Sequence, residues 1–161
     1  MKTLFSLLVT FIFLTTQELL DVRKLYYNAS KTKESAEQFY DLLSKYSKNN
    51  NVILAYKGAS ITLKSKFASG LKVKKQLFIE GVTMLENAVN NAPENTEIRL
   101  IRLSIQENTP KLLKYKENIE EDKKMILDSY DKVPQDVKEY IRAYVKQSKV
   151  FSEKEKQFLL K

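Results

Sequence analysis

The chain contains neither cysteine nor histidine. Without them the usual zinc, iron–sulfur and haem ligand sets cannot be assembled, and thiol and imidazole catalysis are ruled out. The missing thiols also exclude a disulfide framework. Tryptophan is absent, and glycine and proline occur only three times each in 161 residues. So few breakers among many lysines, leucines and glutamates predict an all-α chain with short connections. The enzyme chemistry left open is that of carboxylate, Lys, Tyr or Ser, and no spacing of these residues recommends a mechanism. The only dense acids are Glu117, Glu120, Glu121 and Asp122. They fall at the start of a polar helix, where solvation and the helix dipole account for them. The expectation is a non-enzymatic protein with no cofactor, no metal and no catalytic residue.

What is present is a core and a charge. Apolar residues make up 43% of the chain and aromatic residues 11%, enough for one folded domain. The formal charge is +8, which draws anionic partners. Between Asn51 and Ile79 there are six lysines (Lys57, Lys64, Lys66, Lys72, Lys74 and Lys75) and no acid. Lys2 followed by the apolar run Leu4 to Leu14 and a polar exit matches a secretory signal peptide over residues 1–16. The run is shorter than the roughly 20 residues of a membrane span. The remainder, 17–161, is then an exported, periplasmic all-helical domain. An uncleaved signal anchor tethering it to the membrane and a buried N-terminal helix are the alternatives.

Periodicity divides that domain into successive helices. Leu19 to Ala29 and Lys33 to Tyr46 are separated by Ser30 and Thr32, both N-cap candidates. Val52 to Phe67 carries small residues Ala55, Gly58, Ala59 and Ser60, and a glycine within a helix suggests close approach of a neighbour. Leu71 to Asn91 ends before Pro93, which cannot continue a helix. Glu94 to Asn108 is apolar on most sides, so it is expected to be the most buried helix. Its remaining stripe holds Arg99, Arg102 and Gln106 on one face. A short helix or turn follows from Lys111 to Tyr115, then helices at Asn118 to Lys132 and Gln135 to Ser148. Ser152 and Glu155 form a capping box that opens a last short helix.

Gly81, Leu85, Ala88 and Pro93 stand at the relative positions of the small residue, large apolar residue, Ala and Pro in the second helix of a tetratricopeptide repeat. Leu54-Ala55-Tyr56-Lys57-Gly58 is similar to its first helix. On these residues 19–108 resembles the tetratricopeptide-repeat family, whose unit is a helix–turn–helix of about 34 residues. The family places about 12 positions between the two small residues, whereas Gly58 and Gly81 lie 23 apart, a pair lengthened by three turns. The resemblance implies stacked antiparallel helix pairs, with 109–161 as C-terminal helices. An irregular helical bundle is the alternative fold. The wording Leu-Ala-Tyr-Lys-Gly and Glu-Ile-Arg-Leu-Ile-Arg-Leu also resembles small exported bacterial proteins, a likeness that implies no activity.

Two functions follow. Stacked helix pairs form concave binding faces, so the first is a scaffold or adaptor for a protein or peptide in the bacterial envelope. Tyr56, Lys57, Arg99, Arg102 and Gln106 are its candidate groove residues. In the alternative reading the two arginines hold helices together, paired with Glu94, Glu97 or Glu121. The second function is binding to an anionic envelope polymer or lipid through Lys64, Lys66, Lys72, Lys74 and Lys75. Nucleic acid is the poorer partner, since no recognised module is present.

Overall fold

Local side-chain caps set where four of the described helices begin. In the computed structural model, which describes residues 18–46 and 50–161, the first helix (α1) covers residues 18–29. The signal-peptide segment therefore lies outside the described residues. Thr32 accepts the Ser35 amide at 3.1 Å to start α2 (Lys33–Ser44). Asn50 accepts from Val52 and Ile53 at 2.8 and 3.2 Å to start α3 (Asn51–Phe67). Such caps satisfy amides that a helix start leaves without partners. Gly70, at φ 82°, turns the chain into α4 (Leu71–Asn91), a conformation that side-chain-bearing residues rarely adopt. Pro93 then breaks the chain, and Asn95 accepts the Ile98 amide at 3.0 Å to open α5 (Thr96–Asn108).

The C-terminal part is more broken. A single 3-10 turn, Lys111–Leu113, precedes α6 (Ile119–Ser129), and a second one, Tyr130–Lys132, extends it. Then come α7 (Gln135–Val145) and α8 (Glu153–Leu159), the latter opened by the Ser152–Glu155 capping box. The described residues hold eight α-helices and no strand. None of these helices is long and apolar enough to cross a membrane.

The hub is α5, which packs against α3, α4, α6 and α7. Ten of its 13 residues are buried, because the helix meets neighbours on every side and keeps no solvent face. Around it, α2 lies on α3 and α8 on α7. The core runs continuously from Val22 and Phe39 through Tyr56, Leu85, Leu100 and Ile101 to Ile126, Ile141 and Leu159.

The hairpin of α3 and α4 shows what the helix glycines do. A Cβ placed on Gly58 would sit 2.6 Å from the Gly81 carbonyl oxygen and 2.7 Å from the Leu85 amide nitrogen. Gly81 in turn faces Gly58 and Thr62. Rising positions on α3 thus meet falling positions on α4, so the pair is antiparallel and joined backbone to backbone. Gly58 of α3 serves this approach, as its place within a helix suggested. Gly58→Ala gains about 1 kcal/mol of helix propensity, but the methyl meets backbone that cannot rotate away. A net loss of about 1–3 kcal/mol is expected in urea melts, with the opposite sign to an ordinary mid-helix Gly→Ala.

Candidate functional site: a lysine-rimmed apolar cleft

Four of the five residues expected to line a groove are interior. Tyr56 is 0% exposed, and its hydroxyl donates to Glu97 Oε1 at 2.8 Å. The Arg23 fork grips the same carboxylate, with Nε to Oε1 and Nη2 to Oε2 both at 2.7 Å. Its third nitrogen reaches Asp136 Oδ2 at 2.6 Å. Burial pulls the Arg23 guanidinium down, but Glu97 and Asp136 outweigh it and hold the group above its usual value.

A second cluster stands on the other side of α5. Arg99 and Arg102, three residues apart, share a face and therefore reach one acid. Asp122, 0% exposed, takes Arg102 Nε at 2.7 Å and Nη2 at 2.6 Å, and Arg99 Nη1 at 3.0 Å. Arg99 also donates to Glu121 at 2.8 Å, and Arg102 to Glu86 at 3.0 Å. Burial pushes the Asp122 carboxyl up, and Arg102 and then Arg99 pull against it. Burial lowers Arg102, yet its hydrogen bonds to Asp122 and Glu86 leave it raised, so the proton stays on the guanidinium. Gln106, fully buried, donates to Asn118 Oδ1 at 3.2 Å. Lys57 is half-buried, with its ammonium donating to the Tyr46 carbonyl.

These placements correct the open-groove expectation for Tyr56, Arg99, Arg102 and Gln106. Tyr56 bonds α3 to α5, Arg99 and Arg102 bond α5 to α6 and α4, and Gln106 reaches Asn118 through its amide nitrogen while its buried Oε1 has no partner among the described residues. They also correct the solvated reading of Asp122, which is the anchor of the second cluster although Glu121 beside it is exposed. The sequence offers Glu97 only to Arg99 and Arg102 and gives no direct sign of its pairing with Arg23 beside Asp136, nor of Glu86 as a partner of Arg102. The one indirect signal was charge inside otherwise apolar helix faces, at Arg23 and Glu97.

The open surface lies elsewhere. A cleft of about 730 Å³ is bounded by α1, α3, α4, the end of α5, the Lys111–Leu113 turn and α7. Its floor is apolar, from Leu63, Phe78, Ile105 and the rings of Tyr26, Tyr140 and Tyr144. Leu71 and Leu112 at its edge are 87% and 90% exposed. Of the five lysines expected to meet an anion, Lys66, Lys74 and Lys75 line this cleft, and Lys64 and Lys72 do not. Lys64 instead covers the Tyr40 ring at 3.9 Å. No Asp or Glu lines the cleft. Leu71, Lys74, Lys75 and Phe78 face it together because they recur at i, i+3, i+4 and i+7 on α4.

A second cleft, of about 1070 Å³, opens over Arg23, Glu97, Arg99 and Glu121. Its charges are mixed, with Arg23 paired to Glu97 and Arg99 to Glu121, which leaves little to recognise a ligand of one sign. No family, curated protein or solved structure matches this chain. The geometry of the first cleft is therefore the basis for a functional reading.

Tyr26, Tyr140 and Tyr144 of that lining, and Tyr56 in ring contact with the first two, are held neutral by burial. Tyr26, whose hydroxyl is 2.6 Å from Ser104 Oγ, is pushed up to about 12 by burial. Burial likewise raises Tyr56, Tyr140 and Tyr144, the last also through its bond to Glu107. A raised folded-state value means stability is intact below the unfolded tyrosine value near 10 and falls as pH rises through the folded one. For Tyr26 that window is about pH 10 to 12. Urea midpoints are therefore expected to drop over this interval, and Tyr26→Phe should lessen the drop.

Proposed function

We propose that this chain is a non-enzymatic helical binding module that takes an anionic partner at the lysine-rimmed cleft. The observation that carries the reading is the contrast in charge: the arginines of α5 are paired inside, whereas Lys74 and Lys75 make no ion pair among the described residues. The first turn of α4 also holds no acid that could neutralise these lysines. A protein or peptide partner in the envelope would have to use the same cleft, because the arginine stripe is closed.

In this reading α3 and α4 are a lengthened tetratricopeptide-like pair, with the Gly58–Gly81 contact in place of the family's small–small contact. The module works outside the cytoplasm, in the periplasm or tethered to the membrane, because Lys2 and the apolar run after it have the pattern of an export signal. Lysine footprinting tests the binding site. With a bacterial envelope extract, an amine-acylating reagent should lose access to Lys66, Lys74 and Lys75 while Lys138, Lys146 and Lys154 stay reactive. The protection should vanish at high salt. Equal labelling of both sets, with and without extract, refutes the reading.

A further inference from the structure

We infer that the occupant of the cleft is a single-chain amphiphile: one alkyl chain ending in an acidic headgroup, taken up as a monomer. This rests on the cleft being the binding site and names what it binds. Size is the first argument, since about 730 Å³ lies within the roughly 300–1,000 Å³ of small-molecule sites. The second is the lining. The hydroxyl of Tyr26 is engaged with Ser104 and that of Tyr144 with Glu107, so these residues offer ring carbon to the cleft and ask nothing polar of a ligand. An alkyl chain, with no hydrogen bonds of its own to satisfy, suits such walls.

Charge complementarity supplies the third argument. Lys74 and Lys75 stand on α4 one turn before buried Phe78, and Lys66 stands on the facing end of α3. With no acid in the lining, an anionic group at the rim meets Lys74 and Lys75 while its chain lies over Phe78 and Ile105. Lys66, on the same lining, also donates to the Ser30 carbonyl at 2.9 Å. A hydrophilic polyanion would neutralise the lysines but leave the apolar floor and Leu71 and Leu112 wet. A flat anionic membrane surface would not enter a concave site. Only a molecule apolar at one end and acidic at the other matches both parts.

Isothermal titration of the full chain with monomeric octanoate, decanoate, dodecanoate and tetradecanoate tests this. One-to-one binding is expected, with Kd tightening by about fourfold per added methylene until the cleft is full. The alcohol and trimethylammonium compounds of equal chain length should bind at least about tenfold more weakly. K74Q/K75Q, two surface changes that leave the core intact, should weaken the carboxylates by about tenfold and leave the alcohols unchanged. Absence of carboxylate binding, indifference to chain length, or binding to phosphatidylglycerol vesicles alone overturns the inference. If carboxylates fail while the footprint protects Lys66, Lys74 and Lys75, only the amphiphile falls and the cleft keeps its anionic partner. If the footprint also shows no protection, both readings fall.

Discussion

Asp122→Ala will lower the stability of this protein by about 3–5 kcal/mol, because it strands two guanidinium groups in the interior. Asp122 takes three hydrogen bonds from Arg99 and Arg102 and has no exposure to water. Its removal leaves Arg102, 4% exposed, with Glu86 as its nearest remaining acid and Glu121 3.9 Å away. Folded domains have only about 5–15 kcal/mol in hand, so the variant is expected near the edge of folding at room temperature. Arg102→Ala should cost a similar amount, for the converse reason that Asp122 then keeps only Arg99. Urea melts of the parent and both variants check this. A groove arginine would behave differently and leave stability nearly unchanged. Replacing all three residues with well-packed apolar ones can be neutral, since buried ion pairs contribute less to stability than their breakage suggests.

Truncation inside α5 is the second large effect. Ile101→Ala and Leu103→Ala should each cost about 2–5 kcal/mol. Both side chains are fully buried, and α5 is held by four other helices, so the surroundings cannot collapse into the space that opens. Lys72→Ala on exposed α4 surface is the control, with a change of no more than about 0.5 kcal/mol. If Ile101→Ala and Leu103→Ala both melt like the parent protein, α5 is not the hub of the fold.

Much of the helix plan was legible. The span Leu71–Asn91 is the same in sequence and structure, α3 differs from expectation by one residue, and α8 opens at the expected capping box. Helix ends depend on neighbours within four positions: a capping oxygen at Asn50 or Ser152, a proline at 93, a glycine at 70. The centrality of α5 was legible too, because a helix apolar on most sides has nowhere to sit but the inside. Where the sequence reading overran, as at Glu94, the reason is again local. Asn95 supplies the cap, so the helix starts at Thr96.

The candidate site was half legible. Lysine excess between Asn51 and Ile79 pointed to the two helices that carry the cleft's lysines, yet it could not separate Lys66, Lys74 and Lys75, which line the cleft, from Lys64 and Lys72. That division depends on which way each face of α3 and α4 points once α1, α5 and α7 close around them. The arginine stripe shows the same limit more sharply. A polar stripe on an apolar helix is compatible with an open groove or with buried pairing, and only the partners decide. Arg23 finds Glu97 across 74 positions and Asp136 across 113. Sequence by itself determined the all-helical class, most helix ends and the rank of α5, because these follow from interactions between near neighbours. Tertiary structure alone decided which charges are buried and paired, and which are left around an apolar cleft. Those outcomes are set by contacts between helices far apart in the chain, and no local pattern encodes them.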